Sequence, residues 1–221
     1  MSRMSTVKKQ NSRTWCNLHS RLRATHFQYD KLMPEPIGQY INRQATSISS
    51  CEGYLLDSLI ASTAFILAEK CNVVYNGMPN KTNLYVLFVG SPSTGKSQAI
   101  NTAFLDPINT VVTARDGMPV GIGKSTSAGL IQKLSEGSQI IVSGEIYDVL
   151  NKMVKNDGDT ASGDISLLSQ LFSGEKVSVN FATQKARDIP HDRAFCILGA
   201  IQPAPLAALL TSLGTGSSND F

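Results

Sequence analysis

The chain has 221 residues, 42% hydrophobic and 17% charged, with a formal net charge of +3. That length and apolar content suit one large domain, or one domain with an N-terminal extension. The most apolar stretch, Tyr54 to Val74, is broken by Asp57, Glu69 and Lys70, which excludes the run of roughly twenty nearly uncharged residues that a membrane span requires. The start of the chain has charge but no apolar run behind it, so it does not read as a secretory signal. Cys16, Cys51, Cys71 and Cys196 are scattered, a pattern of free thiols in a reduced compartment rather than of a zinc site. A soluble, intracellular protein without a membrane partner is expected.

Charge is unevenly spread. Residues 1–50 hold eight Lys/Arg against Asp30 and Glu35, and the remainder is mildly acidic. This reads as a solvated, partly disordered arm; the sharper alternative is a non-specific nucleic-acid contact. Tyr54, Leu55, Ser58, Leu59, Ser62 and Ile66 trace a helix over about 52–70, apolar nearly all round and so expected to be buried. Asn76-Gly77-Met78-Pro79-Asn80 reads as a turn, and Leu84 to Val89 as a buried parallel strand running straight into Gly90. The spacing then predicts a helix over 96–105 stopped before Pro107 and a short strand over 109–114. A glycine-rich loop follows over 117–123, then a helix capped by Ser125 or Thr126 and ending at Leu134. A third buried strand is expected over 139–143, with helices over about 145–155 and 164–172 separated by a polar loop. Alternating Val177, Val179 and Phe181, then Ala186 and Ile189, predict a β-hairpin. A final buried strand over 194–201 leads to a helix opened by Pro203. Strands alternating with helices imply an α/β sandwich with a mostly parallel sheet.

Gly90-Ser91-Pro92-Ser93-Thr94-Gly95-Lys96-Ser97 matches G-x-x-x-x-G-K-[ST] in full, between an expected strand and an expected helix. Gly90 and Gly95 let the backbone turn without a Cβ clash, so that successive N–H groups point at phosphate oxygens. Lys96 is expected to reach the β- and γ-phosphates and Ser97 to ligate Mg²⁺. The pattern predicts a nucleoside triphosphate, ATP with Mg²⁺, as ligand. The chain then divides into a basic extension (1–50), a helical lead-in (51–80) and a nucleotide-binding core (81–221).

Hydrolysis needs an acid on a neighbouring strand. Ile140-Ile141-Val142-Ser143-Gly144-Glu145 ends in one, which makes Glu145 the expected base and metal-side carboxylate. Gly144 stands where an aspartate would usually precede it; Ser143 through water, or Asp148 one turn on, is a substitute. The plain alternative is that Glu145 only charges a helix N-terminus. Gln202 emerges at the end of a strand, where ligands lie in open α/β sheets; it contacts the γ-phosphate or attacking water, or simply precedes a helix. Lys176, Lys185, Arg187, His191 and Arg193 crowd the hairpin beside Phe181. Such a ribbon can grip single-stranded nucleic acid, although the charges taken alone fit a lysine-protected solvated ribbon better.

With these motifs in order, the stretch from about 84 to 210 resembles domain of unknown function 3987, a family of phage, plasmid and other mobile-element proteins. The resemblance rests on the Leu84–Ser97 segment, Ile141-Val142-Ser143-Gly144-Glu145, Leu171-Phe172-Ser173-Gly174-Glu175 and Phe195-Cys196-Ile197-Leu198-Gly199-Ala200-Ile201-Gln202-Pro203. It implies a P-loop NTPase three-layer sandwich of the AAA+/RecA-like kind, related to primase-helicases, with an inserted hairpin. It also implies Lys96 and Ser97 on phosphate and metal, Glu145 as the Walker B acid, Gln202 as a sensor, and single-stranded DNA at the hairpin. A homo-oligomer is compatible with it. The family often carries Asp-Glu where this chain has Gly144-Glu145, and continues where this chain stops at Asn219-Asp220-Phe221. An incomplete C-terminal end, lacking a fifth core strand and an arginine finger, is therefore expected.

Two rival functions use the same loop. A small-molecule kinase would need an arginine-rich lid after the third strand, and the sequence has none. A regulatory module that holds ATP without turnover is motivated by Gly144.

Overall fold

The computed structural model describes residues 33–68, 71–113, 121–122, 127–154, 161–179, 187–191 and 193–215. The chain falls into two compact units, Met1–Tyr40 and Ile41–Phe221. Of the first, residues 33–40 are described and carry the opening turns of helix α1 (Glu35–Ser47). The second continues through α2 (Glu52–Leu67), the strands β1 (Val73–Tyr75), β2 (Met78–Asn80) and β3 (Tyr85–Val89), and helix α3 (Lys96–Ile100). A π-helical turn, Asn101–Leu105, joins α3 to α4 (Asp106–Thr113). Then come β4 (Gly121–Ile122), α5 (Ser127–Glu136), β5 (Gln139–Ser143), α6 (Tyr147–Val154), α7 (Ala161–Ser173), β6 (Val177–Val179), β7 (Arg187–Ile189), β8 (Phe195–Ile201) and α8 (Pro203–Thr215). Among the described residues no helix is long and apolar enough to cross a membrane.

Four strands form one parallel sheet in the order β3-β8-β5-β4. The last strand in sequence thus lies inside the sheet, with β3 on one side and β5 on the other. All seven residues of β8 are buried, as expected of a strand covered on both faces. Its alternation sorts two cores. Phe195, Ile197 and Ile201 join a cluster with Leu130, Leu134, Val149, Met153 and Leu171 from α5, α6 and α7. Cys196, Leu198 and Ala200 join Phe65 of α2, Ile100 and Phe104 in a second. A fully buried phenylalanine such as Phe104 or Phe195 contributes about 2–3 kcal/mol through its apolar area.

Gly199 is the small member of the first alternation. A Cβ there would run into the Ile146 side chain, with Ile146 Cβ at 2.7 Å. Without it, Ile146 seats flat on the sheet, its N–H donating to the Ala200 carbonyl at 2.9 Å. The turn carrying Glu145 is thereby fixed to the central strand.

Several sequence expectations change. The predicted 109–114 strand is helical as far as Thr113, and the helix does not stop before Pro107. In the π turn the Asp106 N–H bonds back to the Asn101 carbonyl five residues earlier. That widened register falls where the Pro107 ring and missing N–H would otherwise break an α-helix. The β-branched Thr110, Val111 and Val112 then follow the helix that packing dictates, against their own propensity. The expected turn over 76–80 is a hairpin of β1 and β2, with Asn76 (φ 51) and Gly77 (φ 77) in the left-handed conformations of a two-residue turn. Gly121 and Ile122 pair with β5 rather than lying in a loop. Of β3 only Phe88 is fully buried, because β3 forms an edge of this sheet. Helix α2 buries one side and leaves Ile60, Ile66 and Leu67 exposed. The 177–189 hairpin, the third and final strands, and the helix after Pro203 lie where expected.

Candidate functional site

The sheet order brings three strand ends together. Strand β3 delivers Gly90, β8 delivers Gln202 and β5 delivers Gly144-Glu145, all at the carboxyl edge of one parallel sheet. Pro92, Ser93, Thr94, Gly95, Lys96, Ser97, Gln98, Gly144, Glu145 and Gln202 line a single cleft there. Its volume is about 170 Å³, below the roughly 300–1,000 Å³ of pockets that engulf a small ligand, so the site is a shallow cleft open to solvent.

The loop from Gly90 to Ser97 is wound tightly. Ser93 (φ 60) and Gly95 (φ 78) are both left-handed, the kind of backbone alternation that turns successive N–H groups toward a common centre. Glycine is required at 95 twice over. Its φ is positive, and a Cβ would lie 2.5 Å from Ser50 Cα and 2.6 Å from the Ser49 carbonyl oxygen. Lys96 is 8% exposed. Its ammonium donates to the carbonyls of Gly90 (2.9 Å) and Ser91 (2.6 Å) and to Thr94 Oγ1 (3.1 Å). All three donors of the ammonium are engaged by neutral loop oxygens, bonds that an anionic acceptor would replace with shorter and stronger ones. Ser97 opens α3 with its side chain exposed on the cleft.

No protein-family model and no curated protein matches this chain. The chemistry of the cleft is therefore read from its own residues.

Gly144 faces Ser97: a Cβ at 144 would lie 3.0 Å from Ser97 Oγ. The position preceding Glu145 thus adjoins the hydroxyl expected to meet the metal, and carries no side chain. Ser143 is not among the cleft-lining residues. Its hydroxyl donates to the Glu145 carbonyl (2.7 Å) and accepts from the Glu145 N–H (3.2 Å), which closes the turn. Asp148 is exposed on α6 and is not among the cleft-lining residues. Among the described residues no group of three His, Cys, Asp or Glu could hold a metal by itself. The donor set at Ser97 and Glu145 fits Mg²⁺, which takes one or two protein oxygens, several waters and substrate phosphates.

The hairpin candidates are dispersed in role. Lys176 Nζ lies 3.4 Å from Asp188 Oδ2, with both side chains well exposed. Ser178 and Lys176 together hold the Asp188 carboxyl below its ordinary range. Arg187 is half-buried on β7, and Arg193 is half-buried just before β8. His191 is exposed in the turn between them. Lys185 and Phe181 lie outside the described residues.

Two residues behind the site, and one at the opposite edge of the sheet, escaped the sequence reading. Ser50 and Tyr54, in the turn after α1 and the start of α2, donate to the carbonyls of Gly95 (2.9 Å) and Val89 (3.1 Å). Asn83, buried ahead of β3, donates to the carbonyls of Leu171 (2.8 Å) and Phe172 (3.2 Å) and accepts the Phe195 N–H (3.2 Å). It adds a second bond to the Leu171 carbonyl, which also accepts the Gly174 N–H, and caps the Phe172 carbonyl at the end of α7 while aligning β8. The signal available was a polar residue placed immediately before an apolar run.

Proposed function

We propose that this chain binds ATP with Mg²⁺ in the Gly90–Ser97 loop and is the ATPase core of a primase-helicase-like motor acting on DNA. The observation carrying the reading is the meeting of that loop with Glu145 and Gln202 in one cleft. Lys96 and the loop N–H groups would hold the β- and γ-phosphates, and Ser97 and Glu145 would face the metal, which when bound neutralises charge on the phosphates. Glu145 would take the proton of the attacking water, and Gln202 would orient it. The P-loop sandwich of AAA+/RecA-like type and the kinship to domain of unknown function 3987 belong to the same proposal. The DNA component rests on the basic residues around the hairpin.

Gly144 favours a second reading, in which ATP is held without turnover. Both are tested on the purified chain. Lys96→Ala is expected to weaken ATP binding by about two orders of magnitude, the loss of two charge-assisted contacts; unchanged affinity would sink the site. Glu145→Gln should retain binding and abolish phosphate release. Phosphate release stimulated by single-stranded DNA supports the motor, whereas tight binding with no release selects the holding module.

A further inference from the structure

The phosphate loop is pinned at both ends by residues that precede it by some forty positions. At its start, the Val89–Gly90 peptide is held from both sides: Tyr54 Oη donates to the Val89 carbonyl at 3.1 Å, and the Gly90 N–H donates to the Ile201 carbonyl at 3.2 Å. The Tyr54 ring packs on Phe88 with centroids 4.8 Å apart, which fixes where its hydroxyl reaches. At the other end, Ser50 Oγ donates to the Gly95 carbonyl at 2.9 Å. A trans peptide is planar, so the carbonyl of Gly95 and the N–H of Lys96 point in opposite directions. The same carbonyl accepts the Ala99 N–H at 3.0 Å as the first bond of α3, and Ser50 adds a second hold, so the Lys96 N–H is aimed away from that wall. Ser50 is itself fixed, with its N–H on the Ala45 carbonyl at 2.9 Å and Ser49 in a left-handed turn. The fit leaves no slack. A Cβ at Gly90 would lie 2.5 Å from Tyr54 Oη, and one at Gly95 would collide with the backbone of Ser50.

We propose that Ser50 and Tyr54 are positioning residues of the phosphate site: they set the two end peptides of the loop so that its N–H groups are aimed before a polyphosphate arrives. The inference rests on the reading of Gly90–Ser97 as a phosphate loop. It assigns the turn between α1 and α2 to the binding site, as its back wall. An ordered loop loses less freedom on binding, and this is where the affinity arises.

The test is calorimetric binding of ATP and of inorganic tripolyphosphate, which reports on the loop alone, together with melting of the ligand-free protein. Ser50→Ala and Tyr54→Phe should each weaken both ligands about threefold to tenfold, the range of one ordinary hydrogen bond, with melting lowered by no more than about 5 °C. Ser50→Thr, which keeps the hydroxyl, should restore affinity. Gly90→Ala should weaken binding further, and Gly90→Ala with Tyr54→Phe should recover part of it. With the tyrosine oxygen gone, the nearest atom to the new methyl is Thr94 Oγ1 at 3.1 Å. That rescue keeps the test informative whatever Ser50→Ala does to folding. Wild-type affinity in Ser50→Ala and Tyr54→Phe, or no rescue in the double variant, overturns the positioning role while leaving the phosphate site standing. A wild-type chain that binds neither ligand overturns both.

Discussion

Asn83 sits between Thr82 and Leu84, and nothing in those neighbours announces that its amide joins the end of α7 to the start of β8. Because the side chain is buried, replacing it leaves the buried Phe195 N–H without this acceptor and removes the two bonds to the end of α7. Asn83→Ala is expected to cost about 2–4 kcal/mol, the loss of two or three buried hydrogen bonds, read as a lower urea midpoint at constant slope. Cysteine reactivity is a second single-residue outcome. Cys51 and Cys71 are exposed and Cys196 is buried, and burial pushes the Cys196 thiol up to about 11, partly offset by the Leu84 N–H. Brief alkylation of the native chain near neutral pH should label Cys51 and Cys71 and spare Cys196, which reacts only after unfolding. The residues that were legible in sequence are those whose partners are contiguous: Gly90 to Ser97 form their own loop. Ser50, Tyr54 and Asn83 were not, since their acceptors lie 45, 35 and 88 residues away.

Elements were readable where pattern and packing agree, as in β5 and β8, and unreadable where they conflict. Thr110-Val111-Val112 favours a strand by branching, yet the helical run beginning at Lys96 carries it on, through a π turn that no apolar spacing signals. A proline inside an ordinary α-helix costs about 3 kcal/mol. Here the π register already absorbs it, so Pro107→Ala should change unfolding free energy by less than about 1 kcal/mol; a gain near the full amount would show the ring to be strained. The hairpin of β6 and β7 gives an electrostatic test of the DNA proposal. Lys176 is engaged with Asp188, so Asp188→Asn should strengthen single-stranded DNA binding and steepen its salt dependence by about one released counterion. Stability should barely move, since exposed pairs contribute little.

At the scale of the molecule, alternating apolar runs revealed a mostly parallel α/β arrangement, but not that the last strand lies between β3 and β5. Strand order depends on crossovers that sequence alone leaves open, and it is this order that brings Gln202 beside the loop. The same central packing sets a limit on alkaline stability. Burial pushes the Tyr85 phenol far above its ordinary value, with the Cys196 charge adding to the effect. Both groups stay protonated in the fold after the unfolded chain has begun to lose their protons. Their contribution is complete below about pH 9, the ordinary thiol value, and falls as pH rises toward 11. The urea midpoint should follow that course, and Cys196→Ala should delay the onset toward the tyrosine range, near 10.

Gly199 has a consequence for how this sequence can drift. The bare position under Ile146 links the placement of Glu145 to the centre of the sheet, so chemistry and location are under separate control. In a saturation library selected for folding alone, position 145 should accept many residues. Position 199 should return glycine almost exclusively unless Ile146 shrinks in the same clone. New reactivity at this cleft is therefore reached by changing the side chain at 145, while the address to which it is delivered stays closed to mutation.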